Sequence, residues 1–453
     1  MINLPGGMHA MTMHDGEGHA LTGATAEARD LFEHALELQR CYLGDPLEAI
    51  DRTITAAPGF AMAHITRGWM NLIGTEPRGF ANARQSHANA APLAKTPRER
   101  AHLEAMGQLA NCDFHTAAAT LQRLSIDHPR DLLALQIGHH IDFFVGDARM
   151  MRDRIARALP EWSEDRPGYH LLPAMHAFGL EECGDYVEAE RQGRRAAALH
   201  PGDSWAQHAV AHVMEMQGRL KEGLAWMRDD PELWSRDSLL AIHNWWHTAL
   251  YHLDLGEIDE VLTLYDGPIF GTKPPFSMTL GDAGALLWRL MLRGVDLGDR
   301  WDVLADLWTQ VEGRSLYAFN DAHAVMAYVG AGRRSKAVEV IAALEEAAAG
   351  DNSNAIFSSQ VALPVARAFL AFGDGDYTGC AALLLPVIPI AHRFGGSHAQ
   401  RDVLDLTLIE AAFRADDEPL ARAVTAERKA AKPHSVFTEA VFQRARAAAV
   451  VPA

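Results

Sequence analysis

The stretch Gly184–Ala206 reads GDYVEAERQGRRAAALHPGDSWA, and its spacing decides the fold. Gly184 and Asp185 make a turn, and Tyr186 supplies an aromatic anchor. Ala189 and Ala196 then lie seven residues apart, on one face of a helix. Pro201 stops that helix, because proline has no N–H for the helical ladder. Small residues on one face let a second helix approach closely, so the stretch reads as half of a two-helix repeat.

A second copy, CDFHTAAATLQRLSIDHP, carries Phe114, Ala117 and Pro129 at the same spacing. Turn–helix starts recur at Gly44, Gly146, Gly184, Gly218, Gly256, Gly298, Gly332 and Gly375, the last seven separated by 38, 34, 38, 42, 34 and 43 residues. A period of about 34 residues, stretched by insertions, is that of the tetratricopeptide unit. Between the turns, apolar residues recur every three or four positions, as Leu31, Ala35, Leu38 and Tyr42 do, and alternating strand-like runs are missing. The expectation is an all-α, tetratricopeptide-like helical-repeat solenoid (an α-α superhelix) of about ten helical pairs, without a sheet. It fills a single domain, 25–453, behind a polar tail, 1–24, expected to be mobile or laid across a pocket mouth. Asp266–Phe276 and Gly350–Asn354 read as loops.

Of the 453 residues, 48% are hydrophobic and 22% charged, which excludes bulk disorder. The formal net charge of −18 repels phosphate backbones and anionic lipid, so neither nucleic acid nor a membrane surface is expected as a partner. Cys41, Cys112, Cys183 and Cys380 are scattered, with no C-x-x-C, which fits a reducing cytoplasm. The N-terminus lacks a secretory pattern, and no unbroken apolar run approaches a membrane span.

The chemistry concentrates in the middle of the chain, where ten of the 23 histidines fall between His139 and His252. His208, His212 and Glu215 stand at i, i+4 and i+7, one face of one helix. His243 and His247 repeat the i, i+4 spacing about one unit later, so the two faces are expected to meet. Imidazole and carboxylate serve as general acids and bases near neutral pH, and as ligands of zinc and non-haem iron. His208, His212, Glu215, His243 and His247 are therefore the candidate catalytic residues. Candidate ligand-binding residues are His139, Trp205 and Trp246 as walls, Asp321 and His323 as orienting groups, and Arg401 as an anchor for an anionic ligand. Nothing fixes a coordination geometry, so a divalent metal is compatible with these donors and no cofactor is identified. P-loop, dinucleotide and serine-hydrolase motifs are missing.

The sequence resembles the tetratricopeptide repeat protein 38 family and its bacterial relatives, from about Ala24 to Ala412. The likeness rests on DHPRDLLAL (127–135), DSWAQHAVAHVMEM (203–216), HNWWHTALYHLDLGEID (243–259), FNDAH (319–323) and GGSHAQRDV (395–403). It implies a curved helical-repeat fold and little about activity. The family pattern includes residues matching His208, His212, Glu215, His243, His247, Asp321 and His323. His176 departs from it, standing where an aromatic is usual.

Two readings of function follow. In the first, a cytoplasmic monomer or homodimer closes a His/Trp-lined interior pocket around a small molecule or metal, and whether it is an enzyme stays open. In the alternative, an interaction adaptor holds a peptide on its concave face. The chain has few lysines and concentrates imidazole and indole, which favours the first.

Overall fold

Each repeat unit turns on a residue with a left-handed backbone. The eight glycines marked by the sequence all have positive φ, between 54° and 81°, and each lies between two antiparallel helices. Glycine adopts this conformation without steric cost. In three further units the same turn is made by Thr75, Cys112 and Asp416, at φ of 53°, 62° and 53°. The computed structural model describes residues 13–311 and 313–448. Over these residues the chain forms eleven helical pairs and a closing helix, Val436–Ala448.

The stretch that opened the sequence reading folds as expected. Tyr186–Leu199 is the second helix of its pair, with Ala189 and Ala196 fully buried. Pro201 separates it from Ser204–Met216, whose first turn is capped by Asp203 accepting from the Trp205 and Ala206 N–H groups at 3.0 Å.

The first helix of each pair lies inside and the second outside. Leu171–Glu182, Ser204–Met216, Ala241–Leu255, Ser277–Leu292 and Ala318–Gly330 are buried almost all round. Outer helices such as Tyr186–Leu199 and Arg334–Ala348 bury one stripe and expose the rest. Distant units also meet. The Ser277 N–H donates to Glu76 at 2.6 Å, Ser353 Oγ to Asp113 at 3.0 Å, and the His398 N–H to Glu182 at 2.9 Å. Later units thus pack against earlier ones, and inner helices become core rather than the lining of an open groove.

Three expectations are corrected. Residues 13–24 are neither a loose tail nor a lid over the site. Asp15 accepts from the backbone of Glu17 and His19 and folds a short hairpin, Met13–His14 against Ala20–Leu21. This hairpin is the one small sheet among the described residues. It is tied down by Asp15 to Arg98 at 3.4 Å, Glu17 to Arg166 at 2.9 Å and Thr22 to Glu99 at 2.8 Å. Residues 1–12 of the expected tail lie outside the described residues. Finally, Ser353–Gly373 is helical over 21 residues and apolar enough to cross a membrane by length and composition, although it packs against Ala318–Gly330 and Arg334–Ala348.

Candidate functional site

Ser204–Met216 and Ala241–Leu255 are inner helices of consecutive units, and they turn their histidine faces toward each other. The His212 and His247 rings lie 4.3 Å apart, His208 and His212 4.4 Å, and His208 lies 5.0 Å from both His243 and His247. One ring nitrogen from each of the four sits within 4.8 Å of the other three. All four residues are buried; His212 and His247 are fully so.

Carboxylates stand behind the rings. The Nδ1–H of His243 donates to Asp282 at 2.8 Å and that of His247 to Glu215 at 3.0 Å. The Nε2 atoms of these rings then face each other at 3.3 Å. With both protons on the Nδ1 side, two bare lone pairs meet. Donors on a tetrahedron around zinc, at Zn–N distances of about 2.0–2.1 Å, stand roughly 3.3–3.4 Å apart. Neither ring nitrogen of His208 or His212 has a hydrogen-bond partner, and Glu181 lies 3.6 Å from His212 with both carboxylate oxygens unbonded. Buried polar atoms are normally satisfied, and each orphan costs free energy.

Burial sets the protonation states. It drives His208 and His247 well below the ordinary imidazole range, helped by the neighbouring rings. His212 is brought down to about 4 by burial, against the pull of Glu215 and Glu182. Neutral imidazole is the ligand form. Burial and Glu182 together push Glu181 well above the ordinary carboxylate range. Burial also raises Glu215, against Lys432 and His212.

The other sequence candidates fall around this centre unevenly. Trp246 stacks on His243, centroids 5.4 Å apart at 12°, with the Arg289 guanidinium 5.4 Å over its ring. Trp205 packs 5.0 Å from His208 and stacks on Tyr42. His139 lies one shell out, against Trp205 and Phe178. His323 donates from Nδ1 to the Phe319 carbonyl at 2.8 Å. Asp321 does not orient an imidazole as expected. It accepts from the Ser315 N–H at 3.0 Å, and Asp282 holds the histidine instead. Arg401 does not stand free for an anionic ligand, since it pairs with Glu182 at 3.3 Å.

Sequence reasoning missed Asp282, Glu181 and Glu182. No common spacing marks them: Glu181 is the eleventh residue of Leu171–Glu182 and Asp282 the sixth of Ser277–Leu292, while His212 and His243 are the ninth and third of theirs.

Behind Glu215 a cavity of about 50 Å³ is lined by Arg289, Asp402 and Lys432. A larger cleft of about 500 Å³ opens beside Glu182, His398 and Arg401. Water and small ions thus have space next to the carboxylates of the centre.

Inner and outer helices paired through left-handed turns, eleven times over, define the chain as an all-α, tetratricopeptide-like helical-repeat solenoid. No family model matches it. Among solved structures it is similar to the human IFIT1 dimer with m7Gppp-AAAA, at 13% identity and a TM-score of 0.39, covering 97% of each chain. It is also similar to yeast Tom70, at 13% identity and 0.32, covering 93% of this chain and 88% of that one. A third likeness is to the APC/C hetero-tetramer Cut9–Hcn1, at 12% and 0.26, covering 93% and 97%. At these identities the likeness concerns architecture alone and says nothing of the histidine centre.

Proposed function

We propose that the protein binds a divalent transition-metal ion of the zinc or iron(II) class on His208, His212, His243 and His247. Asp282 and Glu215 would hold the rings of His243 and His247, as carboxylates behind metal-bound imidazoles do. The observation that carries this reading is the 3.3 Å approach of two Nε2 atoms whose opposite nitrogens are both turned to carboxylates. Imidazole donors suit zinc, iron, copper and nickel. Glu181, with both oxygens unbonded beside His212, is the group placed to take or give a proton to a ligand on the ion. Four imidazoles fill a four-coordinate ion, so acid–base or metal-assisted water chemistry on a small molecule here requires an ion that expands to a fifth ligand.

Resemblance to the tetratricopeptide repeat protein 38 family belongs to the same reading, because two of the stretches that carry it, 203–216 and 243–259, supply all four imidazoles. So do a cytoplasmic location and a monomeric or homodimeric state.

The test is elemental analysis of the full chain after exposure to each first-row divalent ion and dialysis. The parent is expected to retain one ion per chain more than a His208→Ala/His247→Ala double variant. A double variant that retains as much metal as the parent contradicts the reading.

Peptide binding is the second reading, supported by the fold class, since repeat solenoids hold partners on extended surfaces. Burial of the inner helices leaves the outer helices and loops for it, where Val187 is 82% and Phe276 59% exposed. Under that reading the double variant would keep its partner.

A further inference from the structure

Away from the four-histidine centre, a second set of metal-type donors converges. Glu37 and Cys41 lie one turn apart at the end of Ala26–Cys41. His170 immediately precedes Leu171–Glu182, and His200 immediately follows Tyr186–Leu199. More than a hundred residues separate the two pairs in sequence. Even so, one donor atom from each of the four residues lies within 4.8 Å of the other three.

Three features show that this is more than proximity. The His170 and His200 rings stack in parallel, 4.4 Å apart at 14°. His170 donates from Nδ1 to Asp203 at 2.8 Å, and Asp203 is buried, so Nε2 of His170 is left bare. A histidine held by a carboxylate through one nitrogen and free at the other is the usual form of a metal ligand. His200 Nδ1 is buried without a hydrogen-bond partner, and the thiol of Cys41, 1% exposed, meets only the Glu37 carboxylate, at 3.6 Å.

We propose that Glu37, Cys41, His170 and His200 form a zinc-type site that clamps the first repeat unit onto the fifth. Thiolate, two imidazoles and a carboxylate make a complete four-coordinate set with no open position, which is the mark of a structural rather than a catalytic ion. Binding deprotonates the thiol and releases one proton. The clamp stands at a real junction, because the chain just after Cys41 pairs with the segment before Ala241: Leu43 bridges Ser238, and the Leu239 N–H donates to the Tyr42 carbonyl at 2.7 Å. Asp203, which orients His170, also caps the helix that carries His208 and His212, so the clamp braces the wall of the interior centre.

Cobalt(II) titration of the chelator-treated full chain tests the proposal. A thiolate-to-cobalt charge-transfer band in the near ultraviolet is expected, complete by two equivalents because the interior centre also takes cobalt. The interior centre, with nitrogen donors only, gives no such band, so failure of one site is distinguishable from failure of the other. Cys41→Ser should abolish the band, and His200→Asn should weaken cobalt binding about tenfold or more. Cys183→Ser, at the exposed cysteine, should leave the band unchanged. If Cys41→Ser misfolds, Glu37→Gln, at an exposed ligand, should still lower affinity about tenfold or more. Absence of the band in the parent, a band that survives Cys41→Ser, or Glu37→Gln with parental affinity would overturn the proposal.

Discussion

Nε2 of His247 stands 3.3 Å from Nε2 of His243, while the far nitrogen of each ring faces a carboxylate, Glu215 at 3.0 Å and Asp282 at 2.8 Å. An imidazole between a carboxylate and a second imidazole has one proton to share. Two such rings placed head to head repel unless a cation stands between them. Asp282 and Glu215 stand behind the rings, on the side away from the Nε2 atoms, where carboxylates orient imidazoles toward a divalent ion. The histidine spacing, the carboxylates and the burial thus lead to the same chemistry.

The two histidine pairs should respond differently to substitution in metal-free protein. His208 makes no hydrogen bond, so His208→Leu should alter unfolding free energy by less than about 1 kcal/mol while removing the ion from the centre. His243→Leu strands Asp282 as a buried carboxylate and should cost about 1–3 kcal/mol. Urea unfolding of both variants beside their metal content checks the contrast. Equal losses of stability, with unchanged metal content, would count against the centre.

Asp282→Asn and Glu215→Gln should each weaken metal binding about 10–100-fold, because the rings lose the groups that fix their tautomer. Asp321→Asn should leave binding unchanged, since Asp321 bonds the Ser315 backbone. Competition against a chelating dye separates the three variants.

Repeat spacing made the helical pairs readable, because glycine turns and small helix-facing residues leave marks in one dimension. Units turning on Thr75 and Asp416 escaped, since a left-handed turn without glycine has no compositional sign, while the unit turning on Cys112 was marked by its Ala117 to Pro129 spacing. The i, i+4 histidine pairs were legible for the same reason as the helices. Asp282 and Glu181 were not, because each is a single acid on an otherwise apolar face, and only the alignment of unit upon unit gives it a partner. Asp321, chosen from the sequence instead, sits in the first turn of its helix and answers to the loop before it.

Gly179 provides a test of the repeat packing. A Cβ there would lie 2.5 Å from the Arg152 backbone nitrogen and 2.8 Å from the Met151 carbonyl carbon, on the neighbouring helix Ala148–Ala158. Backbone cannot move aside as a side chain can, so Gly179→Ala should cost about 1–3 kcal/mol. Gly59→Ala, where a Cβ meets nothing within 4 Å, should be near neutral. Thermal unfolding of the pair measures the difference.

His139 carries the pH prediction, because it lies outside the four-ring set. Burial lowers its imidazole to about 3, against 6.5 for the free side chain. The native ring therefore stays neutral where the unfolded one takes a proton. Its contribution to stability is complete above about pH 7 and is lost as the pH falls below 6.5 toward 3. Between about pH 7.5 and pH 5 that loss amounts to about 2 kcal/mol for this one ring. Buried carboxylates work in the opposite sense: Asp321, pushed up to about 7 by burial, gains a proton on folding and offsets part of the acid loss in the whole protein. Comparison with a variant removes that offset, since Asp321 titrates in both proteins. His139→Phe keeps a ring among Phe178 and Trp205 and should lose about 2 kcal/mol less than the parent between these pH values. Urea midpoints at the two pH values measure it. The same drop in both proteins would show that His139 is already protonated in the folded state.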